Sequence, residues 1–218
     1  MCAIGSAEHA NRPMDAGLAK RFHAWLMLKI SETYEARSRE RKLALFEDIS
    51  GTVLEIGPGT GPNLKYYPAN IYWIGIEPNP FMHVHLKAEA QRLGLPIELR
   101  GGSAERLEAE DGSVDAVVST LVLCSVADLA HTFREIRRVL KPGGRFYFLE
   151  HVAARRGTAL RKVQRLIRPL WSALGDGCQP DRETWSVLET AGFSRLEYEH
   201  FTMKIPITGP HIAGVAVK

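Results

Sequence analysis

A glycine-rich loop is the stretch of this sequence whose residue types and spacing most directly indicate chemistry. Residues 52–61 begin as a short β-branched apolar strand and end with glycines at every second position, Gly57, Gly59 and Gly61. Such glycines let the backbone come within contact distance of a ligand. A dinucleotide-binding loop, G-x-G-x-x-G, would need its third glycine at position 62, which is a proline. The spacing found instead, E-x-G-x-G-x-G beginning at Glu55, indicates a different ligand.

An acidic residue follows the loop at the distance expected for a ribose-binding group. The second predicted strand, residues 71–76, ends at Glu77, about twenty positions past the glycines. A carboxylate in this position can accept hydrogen bonds from two vicinal hydroxyls. A solvated glutamate at a strand end is the alternative. The distance of Glu77 from the loop favours the ribose contact.

The elements that must position these residues alternate along the chain. Further strands are predicted at 96–100, 114–119 and 145–150, helices at 63–67, 81–94 and 127–140, and two closing strands at 193–200 and 212–217. Alternating strands and helices predict a parallel, doubly wound sheet. Ligands of such sheets gather at the carboxyl ends of the strands. The residues at those ends are Glu55, Glu77, Ser103, Leu121 and His151.

Composition excludes several classes of protein. The chain has 218 residues, of which 45% are apolar and 24% charged, and a net charge of +3, which argues against nucleic acid as the main partner. Cys2, Cys124 and Cys178 are too few and too scattered in sequence to predict a disulfide framework or a zinc site, so no metal is expected. A reducing compartment such as the cytoplasm fits this cysteine usage. We find neither a transmembrane segment nor a signal peptide in the sequence.

The glycine loop and its surroundings resemble the class I S-adenosylmethionine-dependent methyltransferases. Four features carry the resemblance across about residues 50–150: the loop, Glu77, the turn at 102–105, and the L-K-P-G-G-R-F turn at 140–146. The resemblance implies a Rossmann-like, seven-stranded α/β sheet in a single domain, mostly parallel with the last strand antiparallel. It also implies that the cofactor is S-adenosylmethionine.

The same resemblance implies which residues bind the cofactor. In this family the turn after the third strand contacts the adenine ring, often through an acidic or amide side chain. Ser103 stands at that position here, which implies a hydroxyl or backbone contact. The implied cofactor-binding residues are Glu55, Gly57, Pro58, Gly59, Gly61, Glu77, Pro78, Ser103, Ala104, Glu105 and Leu121.

Segments beyond the cofactor half are similar to the animal methyltransferase-like proteins that methylate alkyl thiols. The similar segments are residues 120–126, 150–153, 175–178, 182–185 and 210–218. They imply S-methylation of a small apolar thiol. A quinone C-methyltransferase or a phospholipid N-methyltransferase is the alternative among enzymes. A non-catalytic module that binds the cofactor and acts through a partner is the alternative of a different class.

Methyl transfer to a thiol needs donor and acceptor in line, water excluded, and the acceptor deprotonated. An alkyl thiol has a pKa near ~8.5, so a modest base produces useful thiolate. His151 is the predicted base, with a structural histidine as the alternative and His211 as a weaker base. Asp176 and Cys178 lie in a glycine turn that is predicted to close over the site, with Asp176 as a second catalytic candidate. Cys124 is predicted to pack in the core.

Segments outside the sheet complete the predicted organisation: a disordered tail at 1–14, helices within 15–50, and the methyltransferase domain at 51–218. The first helix, 15–31, mixes apolar and basic residues, and a charged helix follows at 36–48. Residues 155–174 carry six basic and no acidic residues, with apolar residues at three- and four-residue spacing. Both amphipathic segments are predicted either to pack on the domain or to contact a membrane surface peripherally. The animal relatives carry a hydrophobic membrane anchor ahead of the domain, where this sequence has only the amphipathic helix.

Overall fold

The structure of the chain is a computed structural model that describes residues 16–218. Between residues 16 and 32, it describes the side chains of only some residues. The tail predicted to be disordered, residues 1–14, lies outside the described residues.

The predicted strands follow one another in the expected order, with a short hairpin at residues 102–107 before the strand predicted at 114–119 and a 3-10 turn in place of the predicted helix at 63–67. The strands are β1 Thr52–Ile56, β2 Tyr72–Ile76, β3 Ile97–Arg100, β4 Gly102–Ser103, β5 Arg106–Leu107, β6 Val114–Thr120, β7 Leu140–His151, β8 Arg195–Thr202 and β9 Pro210–Val217. The helices are α1 Ala16–Phe46, α2 Pro80–Leu93, α3 Leu129–Val139, α4 Ala159–Leu174 and α5 Thr184–Leu188, with a 3-10 turn at Leu64–Tyr66.

Seven of the strands form one sheet in the order β3-β2-β1-β6-β7-β9-β8. The first five are parallel to one another, and β9 runs antiparallel to both β7 and β8. The predicted seven-stranded sheet with an antiparallel last strand is therefore confirmed. The strand order reverses at β1 and β6, and in open α/β sheets this switch point opens the crevice in which ligands bind.

Side chains of the central strands alternate between two cores, one on each face of the sheet. Phe146 and Phe148 of β7 pack with α3, whereas Tyr147 between them joins the core that contains Phe46 and Trp73. Successive side chains of a strand point to opposite faces of the sheet, so a continuous apolar run fills both cores. The carboxyl ends of β1, β2, β6 and β7 are thereby held at one edge of a rigid scaffold.

The two helices predicted before β1 form one continuous helix, α1, of 31 residues. The predicted break fell at residues 32–35, where the sequence has neither glycine nor proline to end a helix. Separate helices were therefore a wrong prediction. The amphipathic and the charged patterns belong to successive parts of one element.

A buried ion pair within α1 is joined to the rest of the domain through its carboxylate. The Lys42 side chain is fully buried and its Nζ donates a hydrogen bond to the Glu35 carboxylate. Tyr66 Oη donates to the same carboxylate at 3.0 Å, and Lys65 Nζ lies 3.3 Å from it. Burial lowers the pKa of Lys42, and the charge of Glu35 opposes that shift. Through Glu35, the pair therefore connects α1 to the turn that follows the glycine loop.

We expect Lys42→Ala to lower the free energy of unfolding by about 3–5 kcal/mol, because it leaves a buried carboxylate without its main counter-charge. Arg92→Ala is the control, since it breaks an exposed ion pair with Glu89 one turn away and should change stability little. Urea unfolding of both variants measures the difference. Equal, small effects would show that the buried pair does not anchor α1.

Candidate active site

The glycine loop after β1 adopts a left-handed backbone at each of its glycines. The φ angles are +59° at Gly57, +57° at Gly59 and +87° at Gly61. A Cβ at Gly57 would lie 2.7 Å from Val122, and one at Gly61 would lie 2.7 Å from Leu86. A Cβ at Gly59 would meet no atom of the described residues within 4 Å. Two glycines are thus required by packing, and the middle one borders open space that a ligand can occupy.

Glu77 holds this loop from the end of β2. Its side chain accepts hydrogen bonds from Gly59 N at 2.9 Å and from Asn79 N at 2.7 Å, and the residue is only 8% exposed. Burial raises the pKa of Glu77, and the nearby Asp176 charge adds to this, while the two backbone N–H groups oppose it. Two carboxylate oxygens offer about four acceptor positions in all, so acceptors remain for a ribose.

Glu55, which was predicted to bind the cofactor, lies behind the loop. It is 2% exposed and accepts hydrogen bonds from Asn63 at 2.7 Å, Tyr67 at 2.8 Å and Trp73 at 3.1 Å. These donors fix the segment that follows the glycines against β2. The structure therefore gives Glu55 a supporting position, and its direct contact with a cofactor stays a prediction.

The predicted adenine-binding turn forms a small hairpin of β4 and β5. Ser103 lies in β4, and Ala104 is buried beside it. Glu105 accepts a hydrogen bond from Ala127 N at 2.7 Å. Burial raises the pKa of Glu105, but hydrogen bonds from Ala127 and Ser103 outweigh it, so the pKa lies below its usual value. Glu105 thereby ties the hairpin to the loop after β6.

That loop turns sharply at Leu121, whose φ is +59°. Glu150, at the end of β7 and fully buried, holds the turn by accepting hydrogen bonds from Ser119 Oγ at 2.6 Å, Val122 N at 3.2 Å and Leu123 N at 3.1 Å. Burial raises the pKa of Glu150 to about 7. Sequence reasoning did not assign Glu150 to the site. An acidic residue at the end of the apolar run 146–149 was the available signal.

Two cysteines and a histidine converge at the ends of β6 and β7. His151 is 5% exposed, and its Nε2 lies 3.1 Å from Cys178 Sγ. Trp171 Nε1 donates to the same sulfur at 3.3 Å. One ligand atom each from Cys124, His151 and Cys178 all lie within 4.8 Å of one another. We call these three side chains the thiol cluster. The assumption that the cysteines lie far apart was wrong for Cys124 and Cys178, because distance along the chain does not measure distance in the fold, while the expected absence of a metal stays a prediction.

The surroundings of Cys178 disfavour the ionised form of its thiol. The adjacent Cys124 thiol and burial raise the pKa of Cys178 well above its usual value, and His151 opposes the shift. Cys124 itself is buried, as predicted, and its Sγ lies 3.6 Å from Leu121 O.

Three buried polar atoms near the cluster have no hydrogen-bond partner among the described residues: Tyr34 Oη, His151 Nδ1 and His211 Nε2. The His211 ring lies 5.8 Å from that of Tyr34 and 6.4 Å from that of His151, between centroids. His211 Nδ1 lies 2.7 Å from Gly209 O, and burial lowers the pKa of His211 to about 4. A weakly basic, neutral His211 is a poor general base. Unpaired buried polar atoms indicate a place where water or a ligand group binds.

The turn between α4 and α5 joins the two halves of the site. Asp176, whose φ is +49°, lies near enough to Glu77 to raise its pKa, while Cys178 contacts His151. Pro78 borders the same edge, where its carbonyl lies 3.4 Å from Lys20 Nζ of α1. Pro58 accepts a hydrogen bond from Gly61 N at 2.9 Å, which closes the glycine loop.

Comparisons with known proteins agree with this geometry. A family model described as a methyltransferase domain matches residues 54–148. The human thiol S-methyltransferases TMT1A and TMT1B are 38% and 37% identical over 214 residues, covering 92% of this chain and 88% of each relative. A SAM-dependent methyltransferase from Thermotoga maritima matches in fold with a TM-score of 0.63 and 20% identity, covering 91% of this chain and 99% of that one.

The site fits S-adenosylmethionine in two respects. Open space lies over Gly59, where a side chain would otherwise block a ligand. The Glu77 carboxylate borders that space and retains acceptor positions after binding the loop. Glu77 would therefore bind the ribose of the cofactor, and the glycine loop would contact the cofactor through its backbone.

We expect Glu77→Ala to weaken binding of S-adenosylhomocysteine, the demethylated cofactor. Each charge-assisted hydrogen bond to the ribose contributes roughly 1.5–3 kcal/mol gross. Glu77→Gln should weaken binding less, because it keeps one acceptor for the loop at the same size. Titration calorimetry gives both dissociation constants, and NAD is the control ligand that should not bind. Unchanged affinity in both variants would refute the ribose contact.

Proposed function

Because this chain is an S-adenosylmethionine-dependent methyltransferase of the family that contains the thiol S-methyltransferases, we propose that it methylates the sulfur of a small apolar thiol. The observation that carries the proposal is the extent of the similarity. It continues past the cofactor half, through the segments that contribute His151 and Cys178. These segments form the end of the site where an acceptor would bind.

The positions of the strands support an acceptor beside the thiol cluster. The cofactor loop follows β1, and His151 ends β7, with β6 between them. Neighbouring strands lie about 4.8 Å apart, so the ends of β1 and β7 are separated by about 10 Å. That separation suits a cofactor held at β1 and β2 with its reactive end towards β7. The acceptor sulfur then lies next to Cys124, His151 and Cys178.

The residues of the chain have separate tasks in this proposal. S-adenosylmethionine supplies a methyl group on a positively charged sulfonium. The buried cluster excludes water and positions the acceptor sulfur in line. Of the two predicted catalytic residues, His151 lies at the acceptor end. Asp176 lies towards Glu77, so for Asp176 we propose a role in closing the turn over the cofactor and not in proton transfer.

A second part of the proposal is peripheral contact with a membrane through α4. Its outer face exposes Leu166 (81%), Leu170 (67%) and other apolar side chains, Val163 and Leu174. Its inner face buries Gln164, which bonds to Ala154 N and Ile207 O, both at 2.8 Å. A helix with polar groups inward and apolar groups outward is suited to a lipid interface. No described helix is long and apolar enough to cross a membrane.

The basic residues around α4 contribute less to this contact than the sequence indicated. Within the described structure, Glu183 pairs with Arg156 and Arg161, and Asp181 Oδ2 lies 3.7 Å from Arg168. Most of the N-terminal segment predicted to contact lipid, residues 18–30, has side chains outside the described residues. We therefore propose that apolar contacts of α4 dominate and that anionic lipid adds a smaller term.

We expect the purified chain to transfer methyl from S-adenosylmethionine to small alkyl and aryl thiols and to give the S-methyl product by mass spectrometry. Quinones and phospholipids are tested in parallel, and Glu77→Ala is the cofactor-site control. Methylation of a quinone or a phospholipid alone would move the acceptor assignment to that class. Cofactor binding with no product from any acceptor would favour the interaction module.

We expect the chain to float with lipid vesicles and Leu166→Asp/Leu170→Asp to lose most of this binding, because two carboxylates would enter the apolar face. Val84→Asp, which changes an equally exposed apolar residue on α2, is the matched control and should still bind. Salt should weaken binding only in part, since screening acts on the charged contribution. Flotation that is the same for all three proteins would refute contact through α4.

A further inference from the structure

We propose that Cys124, His151 and Cys178 bind a zinc ion whose fourth coordination position is open to the acceptor sulfur. The ion would hold the acceptor as a thiolate, and this second half of the inference rests on the proposed thiol methylation. The metal site itself rests on the geometry and chemistry of the three side chains. They come from the loop after β6, the end of β7 and the turn after α4.

The spacing of the ligand atoms fits a single ion. The two Sγ atoms and a ring nitrogen of His151 all lie within 4.8 Å of one another, and His151 Nε2 is 3.1 Å from Cys178 Sγ. Tetrahedral zinc with bonds of about 2.0–2.3 Å places its ligands roughly 3.5 Å apart. The three side chains therefore need only small shifts to enclose an ion.

The donor types select among metals. Two thiolates and an imidazole suit zinc and other soft or borderline cations, whereas magnesium and calcium prefer oxygen ligands. The cluster contains no carboxylate. Three protein ligands with a vacant fourth position are the arrangement of catalytic zinc sites, while structural sites have four protein ligands.

The surroundings of the cluster can accommodate the negative charge that the sulfurs acquire when they bind an ion. Trp171 Nε1–H donates to Cys178 Sγ at 3.3 Å, as an outer hydrogen bond to a metal thiolate does. Arg182 is held beside the cluster because its guanidinium donates to Leu123 O at 2.9 Å and to Val126 O, on either side of Cys124. Two thiolates neutralise the charge of the ion, and a thiolate acceptor would add one negative charge. Arg182 supplies the matching positive charge.

The His151 tautomer that binds a metal leaves a donor at Nδ1 near an acceptor, Nε2 of His211. If Nε2 of His151 binds the ion, the proton lies on Nδ1, which is buried without an acceptor. His211 lies on the paired strand position and has a buried Nε2 without a donor, since its Nδ1 faces Gly209 O. One ordered water between a donor and an acceptor in this recess would satisfy both.

The chemistry balances without a general base on the protein. The acceptor R–SH binds at the fourth position and its proton leaves to solvent, so that a metal-bound thiolate remains. A new sulfur–carbon bond then forms as the bond between the methyl carbon and the sulfonium sulfur breaks. The thioether product is neutral, binds the ion weakly and leaves. His151 is in this scheme a metal ligand, which replaces its predicted role as the base.

Metal binding is measured first, with the reduced full chain and without cofactor or acceptor. Equilibrium dialysis should give one zinc per chain, and cobalt substitution should give thiolate-to-cobalt absorption with the visible bands of a tetrahedral site. Cys124→Ala, Cys178→Ala and His151→Ala should each lose these signals. Cys2→Ala and the exposed His131→Ala are the matched controls and should retain them. Trp171→Phe should keep the site but weaken zinc affinity about 10–100-fold.

Activity is measured second, so that the two proposals fail separately. Stabilisation by S-adenosylhomocysteine shows that each variant is folded. Absence of stoichiometric metal from the folded wild type, or retention of the cobalt absorption in the ligand variants, would overturn the site. A Cys124–Cys178 disulfide in a chain that binds no metal would overturn it in favour of a redox pair. Full thiol methylation after zinc removal would show that the open coordination position does not bind the acceptor. Methylation of only quinones or phospholipids by the zinc-loaded chain would refute the thiol acceptor, while the metal site would stand.

Discussion

The buried carboxylate of Glu150 is the interaction on which both halves of the site depend. A carboxylate without exposure to water is costly unless its oxygens are paired, and here Ser119 and the backbone N–H groups of Val122 and Leu123 pair them. These bonds fix the loop after β6. Val122 in that loop lies where a side chain at Gly57 would have to be, so the loop also packs against the cofactor-binding glycines. The next residues of the same two segments supply Cys124 and His151. Glu150 therefore sets the position of the loop after β6, which packs against the glycine loop, and of Cys124 and His151 in the thiol cluster.

The cofactor half and the acceptor half of the site differ in which parts of the chain form them. The cofactor half consists of local elements, a glycine loop and the carboxylate at the end of the adjacent strand. The acceptor half is assembled from the loop after β6, the end of β7 and the turn after α4. A shared scaffold does not determine the acceptor, and in the proposed arrangement the acceptor contacts only the second set. The identity over 92% of the chain with thiol S-methyltransferases is informative for this reason: it includes both sets.

The sequence predicted the strands of the sheet and the glycine loop because these depend on local signals, namely alternation, glycine spacing and helix stops. It failed where a side chain's role depends on partners far along the chain. Glu55 accepts hydrogen bonds from Asn63, Tyr67 and Trp73, and these could not be inferred from its place in the motif. The basic helix pattern at 155–174 did not include the acids that neutralise it, because Asp181 and Glu183 follow the helix. The thiol cluster is the clearest case, since His151 and Cys178 are 27 residues apart and meet only in the fold.

The position of α4 connects the proposed membrane contact with the proposed acceptor. Its outer face is apolar, and near its last turn Trp171 points its indole N–H at Cys178 in the thiol cluster. The helix leads directly into the turn that carries Asp176 and Cys178 and that borders the cofactor edge. A small apolar thiol partitions into a lipid interface because its hydrocarbon part gains about 0.8 kcal/mol per buried CH₂. A chain resting on that interface through α4 would meet the acceptor where it is concentrated, a few residues from the sulfur-binding side chains. The apolar outer face of α4, which is unfavourable in water, then has a physical reason in its position beside the proposed acceptor site.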